Sequence, residues 1–204
     1  MVEQTHDEHT SQEDVEMTES DEATPPIVLV VMGVSGTGKS TVAGMLAGRL
    51  GWDLEEGDDL HPAANVAKMA SGQPLTDEDR WPWLDKISAW IQVHVGSGTP
   101  GIVTCSSLRK AYRDKLRGPG VAFVHLHGSK EMIAERLNAR LDHFMPSTLL
   151  DSQLATLEPL DPDEVGIVVP LGQKPKDEVK EIMRRLHLSQ LPPPVLNEQG
   201  LIAE

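Results

Sequence analysis

Residues 27 to 41, IVLVVMGVSGTGKST, constrain this chain more than any other stretch of its sequence. Ile27 to Val31 is a short, uncharged run rich in β-branched residues, as expected of a strand buried on both faces. Thr41 to Leu50 reads as a helix, with Val42, Met45, Leu46 and Leu50 on one apolar stripe and Gly51 stopping it. Between them stands Gly33-x-x-x-x-Gly38-Lys39-Ser40, the P-loop pattern in the strand–loop–helix context that gives it meaning. The glycines let backbone N–H groups turn inward around an anion at a helix N-terminus. The loop from Gly33 through Val34, Ser35, Gly36, Thr37, Gly38, Lys39 and Ser40 to Thr41 is therefore expected to hold a nucleoside triphosphate. Lys39 would reach the β- and γ-phosphates, and the Ser40 hydroxyl would bind Mg²⁺. A dinucleotide loop fits worse. Taking Gly36-Thr37-Gly38 as G-x-G puts Thr41 where a third glycine belongs, and that motif has no use for a Lys-Ser pair.

The chain has 204 residues, which suits one domain with a proper core. Its net charge of −14 is unevenly placed: residues 1–24 hold nine acidic residues and no Lys or Arg, whereas the other 180 carry 23 acids and 18 bases. Residues 1–24 read as an acidic disordered tail and 189–204, interrupted by prolines, as a flexible C-terminal tail, leaving 25–188 as the folded domain. The single cysteine, Cys105, lies in the apolar run GIVTCSSL and reads as a small buried strand residue. With no disulfide framework, a reducing, cytoplasmic setting is expected. No apolar stretch approaches the roughly 18 residues of a membrane span, and the acidic leader lacks the features of a secretory or transit signal. Nucleic acid is not an expected partner, because the folded part has no net positive charge and few aromatic residues.

Strand patterns at 27–31, about 52–56, 101–105, 121–126 and 166–169 alternate with helical patterns at 39–50, around 62–70, 79–95, 107–116, 129–141, 146–157 and 175–187. This is the order of an α/β fold with a mainly parallel sheet and helices on both faces. Ligands of such sheets bind beyond the carboxyl ends of the strands, so the residues just after each strand matter most. Three polar clusters lie there. EEGDDLHP places Glu56, Asp58 and His61 where a metal-shell carboxylate and a substrate-positioning group would stand, although it is also an ordinary polar turn and helix start. NVAKMASGQPLTDEDRWPWL gathers Asn65, Lys68, Asp77, Asp79 and Arg80. Arg80 is suited to grip an anionic or polyhydroxyl substrate through its planar fork, while the plainer reading has Trp81 and Trp83 packing a helix and Arg80 in a surface ion pair. CSSLRKAYRD carries Arg109, Lys110 and Arg113, with Arg109 and Arg113 expected on one helical face. In the later helix Arg136 and Arg140 are spaced i,i+4, and Arg140 precedes LDHFMP, where a helical lid would deliver an arginine to a transferring phosphate.

Taken in order, MGVSGTGKST, EGDDLHP, NVAKMASGQPLTDEDRWPWL, CSSLRKAYRD and DHFMPSTLLDSQLATLEPL resemble gluconokinases of the small P-loop type, relatives of shikimate and adenylate kinases. The resemblance runs from about Ile27 to Leu186 and excludes both tails. It implies a P-loop NTPase fold with a helical lid, and ATP- and Mg²⁺-dependent phosphorylation of D-gluconate at its 6-hydroxyl. By position it implies an ATP loop at Gly33–Ser40, a gluconate side formed by Asp58, His61, Lys68 and Arg80, basic positions at Lys110 and Arg113, and a lid at Arg140 with His143 and Phe144. Dimers are common in that family, so a homodimer is a further implication. The chain departs from the family pattern at Arg109, where lysine is common, and at Ser107, where alanine is usual. It also departs at Leu141-Asp142 before the lid's His-Phe pair, and at Val169-Pro170, where the last strand often ends in aspartate.

For phosphoryl transfer, positioning and charge neutralisation supply most of the catalysis. Lys39 and the lid's Arg140 would offset charge on the phosphoryl oxygens. Asp58 would take the acceptor proton, Glu56 would hold a metal-bound water, and Arg80 with Lys68 or Arg113 would bind the gluconate carboxylate. A related P-loop kinase for shikimate or a nucleoside monophosphate, or a non-catalytic ATP-binding module, would share the same loop.

Overall fold

A computed structural model describes residues 26–138 and 147–188, with the side chains of 138 and 147–149 left aside. The two expected tails and the lid residues Arg140, His143 and Phe144 lie outside the described residues.

Five strands form one parallel sheet: β1 (Val28–Met32), β2 (Asp53–Glu56), β3 (Gly101–Thr104), β4 (Val121–His127) and β5 (Gly166–Pro170), in the order β2-β3-β1-β4-β5. Strand β1 is central and wholly buried, with Val30 in register with Val103 on one side and Phe123 on the other. Alternate residues of a strand face opposite sides, and the core divides accordingly. Leu29 and Val31 pack with Val42, Ala43 and Leu46 of α1 (Lys39–Leu50) and Val179 and Ile182 of α7 (Pro175–Arg185). Val28, Val30 and Met32 pack on the other side with Trp83, Leu84, Ile87 and Ile91 of α3 (Asp77–Ser97) and Tyr112 and Leu116 of α4 (Lys110–Leu116). The remaining helices are α2 (Ala63–Ala70), α5 (Lys130–Asn138) and α6 (Ser147–Thr156).

The helix starts have local causes. Helix α3 begins at Asp77, two residues before the sequence pattern places it, because Thr76 and Asp79 form a reciprocal capping box. Pro82 lies inside this helix. Helix α4 begins at Lys110 instead of 107: Ser107 takes a left-handed φ of 45°, Arg109 is extended, and the Glu158 carboxylate accepts from the Lys110 N–H at 2.6 Å. That late start matters below, because it removes Arg109 from the helix. The sheet's strand order reverses on either side of β1, which opens a crevice at the carboxyl ends of β1 and β3. The loop between β1 and α1 sits at this point. Among the described residues, no helix is long and apolar enough to cross a membrane.

Candidate active site

The loop after β1 is shaped by backbone conformations that side chains resist. Gly33, Gly36 and Gly38 all take positive φ, and a Cβ on Gly36 would come within 2.6 Å of Leu137. Internal bonds hold the loop: the Thr37 hydroxyl and the Lys39 ammonium both donate to the Val34 carbonyl, at 2.9 and 3.2 Å. The Ser35 N–H donates to Gln153 Oε1 of α6 at 2.7 Å, a tether from 118 residues away. Val34 is buried, and Ser40 and Thr41 open to solvent at the start of α1.

Glu56, at the end of β2, turns toward this loop. Its Oε2 accepts from Ser40 Oγ at 3.0 Å and from Thr104 Oγ1 at 2.7 Å. The Thr104 hydroxyl in turn accepts from the Gly57 N–H at 3.1 Å. No group of three or more His, Cys, Asp or Glu suited to a metal cage occurs among the described residues. A hydroxyl beside a carboxylate nevertheless fits Mg²⁺, which keeps several waters and is completed by substrate phosphates.

Asp58 follows in a short 3-10 turn, Gly57–Leu60, and is exposed. The turn is pinned to the sheet because a Cβ on Gly57 would lie 2.0 Å from the Thr104 carbonyl oxygen, and because Trp83 Nε1 donates to the Gly57 carbonyl at 2.6 Å. His61 stacks on the Trp83 ring, with centroids 4.1 Å apart. Burial lowers its pKa, partly opposed by the Asp58 charge, which favours the neutral imidazole. Cys105 lies within electrostatic reach of both Asp58 and Lys39, and burial pushes its thiol up to about 11, which suits a core residue and not a nucleophile.

Arg80 donates to the Leu75 carbonyl at 2.7 Å and to the Tyr112 hydroxyl at 3.4 Å. Asp77 is the hub beside it: its carboxylate accepts from Tyr112 Oη at 2.6 Å and Arg109 Nη1 at 2.7 Å, and lies 3.8 Å from Arg80 Nη1. Both guanidinium groups lie near the Tyr112 ring, 5.6 and 6.0 Å from its centroid. Lys68 is paired with Asp79, and this hydrogen bond, with that from the Thr76 N–H, holds the Asp79 carboxyl down at about 2.

Two of the expected substrate contacts are engaged within the protein. Arg113 is fully buried, and its guanidinium is spent on protein acceptors: both Glu164 oxygens at 2.7 and 2.9 Å, and the carbonyls of Ser107, Glu158 and Pro159. It has no donor left for a substrate. Arg109 and Arg113 also do not share a face, since Arg109 precedes the helix in extended conformation and reaches Asp77. Lys110 pairs with an acidic group, Asp114 at 3.1 Å, Asp163 at 3.3 Å and Asp161 at 3.9 Å.

Tyr112, Thr104 and Gln153 escaped the sequence reading. Tyr112 carries one weak signal, as the chain's single tyrosine within a basic stretch, while a threonine ending a strand and a glutamine in a helix carry none.

A parallel sheet with a phosphate loop at its reversal point, a carboxylate on the loop's serine and a polar cluster beyond the neighbouring strands define a small P-loop phosphotransferase. The AAA domain family matches residues 28–160. A gluconokinase of Gluconobacter oxydans is 53% identical over 162 residues, covering 78% of this chain and 90% of that protein. Among solved structures, a sugar kinase from Janibacter sp. HTCC2649 superposes with a TM-score of 0.76 at 47% identity, covering 81% of this chain and 96% of that one. A gluconokinase from Sinorhizobium meliloti 1021 gives 0.73 at 47%, with 79% and 92% covered. The chain belongs to the gluconokinase family.

Proposed function

We propose that this protein transfers the γ-phosphoryl group of Mg-ATP to the terminal 6-hydroxyl of D-gluconate, giving 6-phosphogluconate and ADP. The observation that carries the reading is the juxtaposition at the carboxyl ends of β1, β2 and β3. There the Ser40–Glu56 pair and Lys39 adjoin the pinned turn that holds Asp58, and His61 and Arg80 follow on the same side.

In this reading the loop amides and Lys39 bind the triphosphate and offset the charge that spreads over the phosphoryl oxygens. Bound Mg²⁺ would add further neutralisation of phosphate charge, with Ser40 and, through water, Glu56 as its protein donors. Asp58, exposed and held by its turn, orients the acceptor hydroxyl and accepts its proton. His61, neutral on its Trp83 platform, offers a hydrogen bond to the sugar chain. With Arg113 and Lys110 engaged elsewhere, Arg80 and Arg109 remain to meet the carboxylate. Both face the carboxylate of Asp77, and their forks are suited to a second carboxylate from the substrate. Fixing the carboxylate end aims the opposite end of the six-carbon chain at the phosphate. Arg140 would complete the charge neutralisation from the lid.

The test is ADP release with Mg-ATP and a panel of gluconate, shikimate, nucleoside monophosphates and no acceptor. Release with gluconate, with a phosphorus spectrum of the 6-phosphate, is the expected result. Release with another acceptor instead would overturn the substrate, and ATP binding without turnover would favour a binding module.

A further inference from the structure

Glu178, in the first turn of α7, is a carboxylate that the helix dipole favours but that burial almost wholly removes from water. Its side chain is 1% exposed, and among the described residues neither oxygen has a hydrogen bond. Burial raises its pKa, opposed by the Arg136 charge. A buried acid this poorly satisfied is costly, and such groups are kept where their charge is used.

The charge that faces it belongs to Arg136. This residue is in the last turn of α5. Arg136 Nη2 lies 3.7 Å from Glu178 Oε1, while Nη1 donates to the carbonyl of Thr37 inside the phosphate loop at 3.3 Å. The same Nη1 lies 3.7 Å from where a Cβ would stand on Gly38, so the guanidinium covers the loop's last glycine. One arginine thus joins three elements: the phosphate loop, helix α5 and, through Glu178, helix α7.

We infer that Glu178 is a positioning residue for nucleotide binding: it holds the Arg136 guanidinium at the mouth of the phosphate loop, ready to contact the bound nucleotide. An unrestrained arginine loses considerable rotamer freedom when it orders on a ligand, and restraint in advance lowers that cost. Glu178 also partly neutralises Arg136, so its removal would leave more positive charge near the phosphates. Arg136 is about one-third exposed, however, and water screens that gain. Geometry is therefore expected to outweigh charge.

The proposal rests on the phosphate loop binding nucleotide and does not depend on the acceptor. ADP affinity by calorimetry, KM for ATP and kcat would be measured for wild type, E178Q, R136M and the double variant. E178Q keeps the size of the side chain and removes its charge. It should weaken ADP binding and raise KM for ATP by roughly three- to tenfold, within the usual range for contacting charged residues, with kcat and KM for gluconate little changed. In the R136M background the same substitution should have no further effect. An equal effect of E178Q in both backgrounds would assign Glu178 to packing alone, and unchanged or tightened ADP binding by E178Q would equally overturn the inference. Wild-type protein that binds ADP but releases none from ATP with gluconate would overturn the proposed reaction, while the ADP-affinity cycle would still decide this one.

Discussion

The internal placement of Arg113 makes a prediction opposite to that of a substrate ligand. Arg113→Lys keeps the positive charge and removes the planar fork. The guanidinium makes five hydrogen bonds, two of them to the Glu164 carboxylate, and both partners are wholly buried. An ammonium donates at most three. At least two of the five acceptors are left short while the ion pair itself survives, and acceptors left without their donor cost about 1–3 kcal/mol. For a domain of this size each kcal/mol lowers Tm by about 2–4 °C, so a loss of roughly 2–12 °C is expected. Burial pushes the Glu164 carboxyl up, but the Arg113 bonds and the Asp161 N–H more than reverse this, and the net pKa is lowered. A lowered folded-state pKa means that the pair's stability is present above the unfolded carboxylate pKa, about 4.3. It is lost as pH falls from there through the lower folded value. Wild type should therefore lose the part of its advantage over the lysine variant that comes from the two Glu164 bonds in that acid range. Thermal melts at neutral and acid pH, with gluconate KM measured well below Tm, give the assay. A lysine variant with wild-type Tm and a raised gluconate KM would refute the argument and return Arg113 to the substrate.

Lys39→Ala should lower kcat/KM by roughly 10²-fold or more, the scale of removing one preorganised donor to transition-state charge; full activity would take the loop out of catalysis. Asp58→Asn should lower kcat by roughly 10²–10⁴-fold at saturating gluconate if this carboxylate accepts the proton, and near-normal turnover would exclude it as the base. Gly57→Ala sets a methyl 2.0 Å from the backbone oxygen of Thr104 and must displace the turn. Lower Tm together with lower kcat is expected, and an alanine variant equal to wild type in both would show that the turn is not pinned.

The three inner strands were legible because β1, β3 and most of β4 are buried on both faces and appear as largely apolar runs, whereas β5 alternates buried and exposed residues and the edge strand β2, DLEE, is polar. The phosphate loop was legible because its chemistry is local: every group lies within nine consecutive residues. The substrate side was legible as composition but not as pairing. Periodicity makes Arg109 and Arg113 neighbours on a helix. What separates them is the Glu158 carboxylate, 48 residues from the Lys110 N–H it accepts from, and the Glu164 carboxylate, 51 residues from Arg113. Nothing in the local pattern of CSSLRKAYRD announces either partner. The same limit hid the Tyr112–Asp77 bond, which spans 35 residues, and the Gln153 tether of Ser35.

Trp83 shows why a packing role and a site role need not compete. Its side chain is buried in the core beneath β1 and β3, as a helix-packing tryptophan should be. Its indole N–H nevertheless fixes the Gly57 carbonyl, and its face carries His61. At the preceding peptide unit, the Thr104 hydroxyl takes the Gly57 N–H and donates to Glu56. The carboxylate beside Ser40 and the carboxylate proposed to receive the acceptor proton thus flank a glycine held from both sides by groups of the core. Movement of α3 relative to β3 would shift Glu56 and Asp58 together. The spacing that phosphoryl transfer requires between nucleotide and acceptor is therefore set by core packing and not by the exposed loops that carry the charges.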